Sequence, residues 1–327
     1  MVRIHDHAVN RCAACGSADS TRSGPPSGRE RNLWHMSDRQ SAPAIDQILL
    51  GENLDLLPAL AAESFQLIYI DPPFNTGKIQ TRRTLRAVED EEGERRGFGG
   101  RRYSTELLSE HSYSDHFDDY LAFLAPRLEE AHRLLTAEGT LYFHIDYREA
   151  HRCKLLLDEI FGGECFLNEL IWAYDYGART KRRWPAKHDT ILVYVRDPAA
   201  YHFDSEEVDR EPYMAPGLVT PEKVALGKLP TDVWWHTIVP TAGHEKTGYP
   251  TQKPEGIVRR MVQASSRPGD WCLDFFAGSG TLGAVAAQLS RRYVLIDSNP
   301  EAVEIMQARL GGLGSAAGAV GVGEGAS

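Results

Sequence analysis

The 327-residue chain lacks several features that would assign it to a special class of protein. It has no run of about 18 uncharged apolar residues, so we expect no membrane association. No apolar stretch typical of a secretory signal follows its first residue, which predicts a cytoplasmic protein. It has only five cysteines, an odd number at irregular spacing. This argues against a disulfide framework and for a reducing compartment.

The chain also lacks the excess of positive charge that many nucleic-acid-binding proteins carry, since its net charge is −10. Net charge is a weak guide, because affinity for nucleic acid depends on local phosphate contacts. Five basic residues flank Trp184 in one short stretch: Arg179, Lys181, Arg182, Arg183 and Lys187. They form a candidate phosphate-binding cluster, and a solvated surface loop is the alternative interpretation.

A metal site has little support in the sequence. Cys12 and Cys15 have the spacing of zinc ligands, and His5 and His7 lie nearby. Structural zinc sites usually need a second ligand pair, which does not follow. We therefore predict no metal.

Composition divides the chain into three parts. Residues 1–40 are polar and without periodicity, which predicts disorder, and Met36 is an alternative translation start. Residues 41–310 alternate predicted strands and helices, and this order predicts an α/β protein with a mostly parallel, doubly wound sheet. Residues 311–327 are rich in Gly and Ala and are expected to form a flexible tail.

Two segments within the predicted domain interrupt that alternation. Residues 75–112 are rich in glycine and charge, and are too long for an ordinary connection, which predicts a mobile loop. Residues 163–248 contain a predicted strand pair around the basic cluster, followed by an irregular stretch with prolines and aromatics.

The first chemical motif is Asp71-Pro72-Pro73-Phe74, which directly follows the apolar run Leu67–Ile70. The buried run predicts a strand, so Asp71 would stand where the strand ends. A carboxylate here stands next to a backbone carbonyl whose direction is fixed by the proline pair, so the motif places two hydrogen-bond acceptors side by side. A turn after a strand is the alternative interpretation.

The second motif is a Gly-rich strand-to-helix turn near the end of the chain. It includes Asp274, Phe275, Phe276, Gly278, Ser279, Gly280 and Thr281. Glycine permits positive φ and close approach of a ligand to the backbone. Asp297 ends the next predicted strand, where a carboxylate can accept both hydroxyls of a ribose; a helix N-cap is the alternative role.

A third segment, Tyr249–Pro254, precedes the helix that leads into the glycine turn. Thr251, Gln252 and Lys253 lie within it. A hydroxyl, backbone N–H groups and an ammonium at a helix start suit a carboxylate ligand.

Together the three segments resemble the signature motifs of DNA amino-methyltransferases, over roughly residues 48–310. The catalytic motif precedes the cofactor motif, an order similar to that of the permuted beta group of this family. The resemblance implies a circularly permuted, seven-stranded, Rossmann-like sheet. It also implies S-adenosylmethionine (SAM) as cofactor and a target-recognition region within residues 163–248.

The same resemblance assigns roles to individual residues. Asp71, Pro72, Pro73 and Phe74 would be catalytic, with Asp71 and the Pro72 carbonyl accepting the two amine N–H groups and Phe74 stacking on the base. The cofactor would be bound by Thr251, Gln252, Lys253, Asp274, Phe275, Phe276, Gly278, Ser279, Gly280, Thr281, Asp297 and Ser298.

Asp at position 71 favours adenine N6 as the target, because cytosine-N4 enzymes of the group more often have Ser there. Cytosine N4 stays an alternative, as do an RNA or protein amino-methyltransferase and a non-catalytic DNA-binding relative. The absence of a Pro-Cys dipeptide argues against carbon-5 cytosine methylation. Duplex DNA is the expected partner, while a homodimer and a cognate restriction endonuclease are left open.

Overall fold

The computed structural model describes residues 45–75, 78–89, 95–96, 102–115, 117, 119–177, 179–240 and 243–316. The segment 1–40, with its predicted disorder, its Cys pair and Met36, lies outside the described residues. So does the end of the predicted tail, 317–327. Every helix in the described part is too short or too polar to cross a membrane.

The main sheet has eight strands in the order β1-β11-β10-β2-β6-β8-β7-β9. Their bounds are β1 Gln47–Leu50, β2 Phe65–Ile70, β6 Leu135–Ile145, β7 Phe166–Ala173, β8 His188–Val195, β9 Val233–Trp235, β10 Trp271–Asp274 and β11 Arg292–Asp297. The five strands from β1 to β6 in this order run parallel. Strand β8 is antiparallel to both of its neighbours, and β9 runs parallel to β7.

Strands β2 and β10 are neighbours although about 200 residues of sequence separate them, which brings the two predicted motifs side by side. Strand β2 is buried along its whole length. Such a continuous apolar strand is typical of the centre of a parallel sheet that is covered on both faces.

Helices cover both faces of the sheet: α1 Asn53–Leu56, α2 Tyr120–Leu134, α3 Ala150–Phe161, α4 Pro221–Leu226, α5 Glu255–Ser265, α6 Thr281–Gln288 and α7 Pro300–Ala316. Residues of α2 and α3 pack with one face of the sheet in a first core cluster. Residues of α5, α6 and α7 pack with the other face in a second cluster. The predicted doubly wound α/β architecture is therefore confirmed.

Three details differ from the sequence-based expectations. The sheet has eight strands instead of seven, because the stretch read as irregular contributes the short strand β9. The segment 75–112, predicted as a loop, contains β3 Lys78–Glu89 and β4 Arg95–Arg96 and the start of β5 Arg102–Asp115, which form a separate antiparallel sheet. Helix α7 continues past Gly311, where a stop was expected, because backbone helix propagation outweighs the low propensity of glycine there.

Candidate active site

The predicted motifs converge on one edge of the main sheet. Asp71 follows the last residue of β2, Asp274 is the last residue of β10, and Asp297 is the last residue of β11. These strands are parallel neighbours, so their carboxyl ends meet at the same edge. Ligands of open α/β sheets bind in the crevice outside this edge.

The glycine turn is shaped by two left-handed residues. Gly278 has φ 51° and Gly280 has φ 70°. A Cβ atom on Gly280 would lie 2.7 Å from Cγ of Met306, and one on Gly278 would lie 3.0 Å from Cε1 of Tyr249. Any other residue would be strained and crowded at both positions, which explains why both are glycine. The turn delivers the backbone to the start of α6.

Asp297 holds the glycine turn through its carboxylate. Its Oδ2 accepts the N–H of Gly278 at 2.7 Å, and its Oδ1 accepts the N–H of Asn299 at 2.9 Å. Burial raises the pKa of Asp297, although both N–H groups oppose the shift. The side chain of Asn299, which accepts the N–H of Glu301 at 3.0 Å, takes the capping position that was the alternative role of Asp297. Ser298 is exposed beside it.

Asp274 is buried below the turn. Its Oδ1 accepts the N–H of Phe276 at 2.9 Å. Burial raises the pKa of Asp274 well above its ordinary value, and the carboxylates of Asp71 and Asp297 raise it further, while the N–H of Phe276 and the Lys253 ammonium lower it. Burial therefore disfavours the charged form of this carboxyl, and a nearby cation favours it.

Other predicted cofactor residues have structural partners. Phe275 is fully buried in the core. The Gln252 amide accepts the N–H of Thr247 at 2.9 Å and donates to the Glu245 carbonyl at 2.5 Å, so it holds its own loop together. Thr281 Oγ1 donates to the Lys253 carbonyl at 3.2 Å and lies 3.3 Å from Ser279 Oγ. Thr251 is exposed.

The catalytic motif is joined to the cofactor segment by an ion pair. The Lys253 ammonium donates to Oδ2 of Asp71, and the two side chains are 11% and 16% exposed. The other oxygen, Oδ1 of Asp71, is buried and has no hydrogen-bond partner among the described residues. A carboxylate oxygen in this condition is an acceptor without a donor, and such atoms need an explanation.

The proline pair and Phe74 are held by residues that the sequence analysis did not single out. The Tyr120 hydroxyl donates to the Pro73 carbonyl at 2.5 Å, while no described residue donates to the Pro72 carbonyl. Asn75 has φ 52°, and its amide donates to Glu149 at 3.0 Å and accepts the N–H of Phe117 at 3.1 Å. These contacts hold the C-terminal half of the motif.

A buried polar chain supports the motif from below. His144 lies between the Tyr69 hydroxyl at 3.0 Å and Asp189 Oδ2 at 3.2 Å, and Tyr174 donates to Asp189 Oδ1 at 3.0 Å. The rings of Phe74 and His144 are 6.0 Å apart. Burial and the nearby Asp71 raise the pKa of Tyr69 well above its ordinary value, which keeps its hydroxyl protonated. The sequence signal for His144 was a histidine within the apolar run of β6.

The basic cluster lies in the loop 174–187, which joins β7 to β8. Ala173 pairs with His188, and Ile145 pairs with Thr190, so this loop leaves the sheet at the same edge as Asp71. Its exposed cations are Arg179, Lys181, Arg182 and Arg183, and Trp184 beside them is 95% exposed. Lys187 is partly buried, 3.6 Å from a carboxylate oxygen of Asp175, which competes with a phosphate.

The described residues contain no group of three His, Cys, Asp or Glu side chains that could hold a metal ion. The fold and the two strand-end motifs define the class: this is a Rossmann-like α/β protein of the methyltransferase type. A family model described as DNA methylase matches residues 65–308. The chain belongs to this family of DNA N6 and N4 methyltransferases.

Individual relatives agree with the family assignment. The chain is 30% identical over 267 residues to type II methyltransferase M.HpaI of Haemophilus parainfluenzae, covering 81% of this chain and 74% of that protein. It is also 30% identical over 271 residues to DNA adenine methyltransferase YhdJ of Escherichia coli (strain K12), covering 80% and 82%. Its fold matches the cytosine-N4-specific PvuII DNA methyltransferase with a TM-score of 0.57 at 15% identity, covering 83% of this chain and 90% of that one.

Proposed function

We propose that this protein transfers a methyl group from SAM to the N6 amine of adenine in duplex DNA. The observation that carries the proposal is Oδ1 of Asp71, which lies at a strand end beside the glycine turn and is buried without a partner in the described part of the chain. An acceptor of this kind suits an N–H donor that arrives with the substrate. SAM is the cofactor, and when bound it supplies an electrophilic methyl group on a sulfonium.

The residues at the sheet edge fit this cofactor. The left-handed glycines leave the backbone open to close approach, and the carboxylate of Asp297 is placed to accept ribose hydroxyls with its remaining lone pairs. The buried carboxyl of Asp274 offers charge compensation for a cation, because ionisation becomes favourable once positive charge is near. Lys253 and the start of α5 suit the carboxylate of the methionine group.

The catalytic residues act on the amine. Its lone pair is delocalised into the base, so it must be rehybridised before it can attack. Asp71 accepts one N–H and the Pro72 carbonyl accepts the other, which directs the lone pair and stabilises the positive charge that develops on nitrogen. As the nitrogen–carbon bond forms and the carbon–sulfur bond breaks, the nitrogen loses a proton, which Asp71 is placed to accept. Phe74 stacks on the base.

Adenine is preferred to cytosine because Asp occupies position 71. The names of the relatives include a DNA adenine methyltransferase at 30% identity, which supports adenine, and a cytosine-N4-specific enzyme at 15% identity, which bears on the fold alone. Cytosine N4 is therefore the second candidate.

Duplex DNA is the substrate in this proposal. An amine within a stacked duplex cannot reach a buried carboxylate, so the target base must flip out of the helix. Residues 163–248 form the target-recognition region, and the exposed cations of the loop 174–187 contact phosphates at the edge where Asp71 lies.

The test is transfer of tritium from labelled SAM to duplex DNA, followed by nucleoside analysis, with Asp71→Ala as the inactive control. Label in N6-methyladenine supports the proposal, and label in N4-methylcytosine replaces it with the second candidate. Label in RNA or protein alone, or no transfer at all, would overturn it. Methylome sequencing of a host that expresses the chain would then give the recognition sequence.

A further inference from the structure

Lys253 makes three contacts that connect separate parts of the active site. Its ammonium donates to Oδ2 of Asp71, and lies 4.9 Å from the centre of the Phe74 ring. Its backbone carbonyl accepts the hydroxyl of Thr281, at the start of α6, at 3.2 Å. One residue thus spans the catalytic motif and the helix that follows the glycine turn.

The environment of this ammonium is acidic and poorly exposed to solvent. Burial raises the pKa of Asp274, whereas the pKa of Asp189 is lowered in spite of burial. The Lys253 ammonium lowers the pKa of both carboxyls, which favours their charged forms. The ammonium nevertheless makes its hydrogen bond to Asp71. An ion pair with little solvent is held by the geometry of its partners, so its orientation is well defined.

The pair leaves the two oxygens of Asp71 in different states. Oδ2 is engaged by Lys253, whereas Oδ1 is buried and no residue that the structure describes donates to it. A free carboxylate can rotate and present either oxygen. With one oxygen held by Lys253, turning the carboxylate plane away from this geometry would break a charge-assisted hydrogen bond, which lowers the population of such orientations by about 10- to 150-fold.

We propose that Lys253 is a positioning residue for catalysis: it holds Oδ2 of Asp71 so that Oδ1 faces the target amine. This inference rests on the proposed function and goes beyond binding of the cofactor carboxylate, which was the role predicted for Lys253. The ammonium has three N–H donors, so it can serve Asp71 and a cofactor carboxylate together.

The two roles are separated by steady-state kinetics of Lys253→Met with saturating SAM and DNA. A positioning role predicts that kcat falls by about 30-fold or more even at saturation. A role in cofactor binding alone predicts a raised Kd for SAM, measured by calorimetry, with kcat unchanged, and this result would overturn the inference. Lys253→Arg retains the charge and should restore part of kcat.

Non-additivity with Asp71 is the second measurement. In single-turnover assays, Lys253→Met should have little further effect in an Asp71→Asn background, because the carboxylate that it positions is gone. Independent, multiplicative losses would contradict a positioning role. The matched control is Lys154→Met, which breaks the pair of Lys154 with Asp158. Lys154 lies near Phe166, the first residue of β7, at the opposite edge of the sheet from the site. This control should leave kcat unchanged.

A third measurement uses the protein without SAM or DNA. Urea unfolding of the wild type, the two single variants and the double variant should show coupling of at least about tenfold in the unfolding equilibrium constant between positions 71 and 253. Additive effects would show that the pair is absent in solution and would overturn the inference. Failure of the proposed function looks different, because the wild type itself would then put no label into N6-methyladenine.

Discussion

Two groups of charged residues lie at the same edge of the sheet, and they are under different physical control. Asp71 and Lys253 are mostly buried and bonded to each other. Arg179, Lys181, Arg182 and Arg183 of the loop 174–187 are exposed to solvent. Charges with little solvent interact strongly with specific partners, whereas exposed charges are screened by salt and act additively. The first group is suited to one chemical step and the second to holding a long, charged ligand.

The comparison predicts that a single substitution in the buried group has the largest effect. Asp71→Ala should abolish methyl transfer, with kcat reduced by at least about 10³-fold, because the acceptor for the target amine is lost. SAM binding should stay within about tenfold of the wild type, since Asp71 acts mainly on the amine. Radiolabel transfer and calorimetry measure the two quantities. Turnover close to that of the wild type would remove Asp71 from the mechanism.

The exposed group should respond only when several charges are removed together. Replacing Lys181, Arg182 and Arg183 with Ala should weaken binding to specific and nonspecific duplexes alike. The slope of log K against log salt should shrink by about 2–3 units if all three neutralise phosphates. Anisotropy titrations at several salt concentrations measure it. The control is Arg267→Ala, an exposed cation paired with Glu138 away from this edge, which should leave the slope unchanged.

Two other outcomes would revise the comparison instead. An unchanged slope with affinity lost only for the cognate site would assign Lys181, Arg182 and Arg183 to base readout. No change in slope or affinity would return the cluster to a solvated surface loop.

An intermediate effect is expected for Asp297, which is partly buried and whose carboxylate, within the described residues, is bonded only to backbone N–H groups. Asp297→Ala should weaken SAM binding by about 1–3 kcal/mol, the scale of charge-assisted hydrogen bonds. Calorimetry with Asp297→Asn as the conservative companion would separate loss of the ribose contact from collapse of the glycine turn. An affinity equal to that of the wild type in both variants would put the ribose elsewhere.

The same contrast explains what the sequence could predict. Strand-end motifs and apolar periodicity are local, so the parallel sheet and the positions of Asp71, Gly278 and Asp297 followed directly from them. The partner of Asp71 is 182 residues away, and only the fold brings Lys253 to it. Tyr120, His144 and Asp189 were missed for the same reason, because their partners come from elements that are distant in sequence. Strands β3 and β5 were missed because their charged, Gly-flanked sequence resembles a loop.

The smallest expected effect concerns stability, and it tests whether burial dominates at Asp274. Burial raises the pKa of this carboxyl, so the folded protein binds its proton more tightly than the unfolded chain does. The sign follows from linkage: the free energy of unfolding falls as pH rises from about 4, the ordinary range of the group, towards the folded pKa.

Asp274→Asn removes this penalty and keeps an oxygen for the Phe276 N–H. The cofactor-free variant should therefore be more stable at pH 7, by about 0.5–2 kcal/mol, the usual size of a single stabilising substitution. At a pH below 4 the difference in stability between variant and wild type should vanish. The variant should also bind SAM more weakly than the wild type. Urea unfolding at both pH values measures this, and a variant that is less stable at pH 7 would show that Lys253 and the backbone N–H outweigh burial.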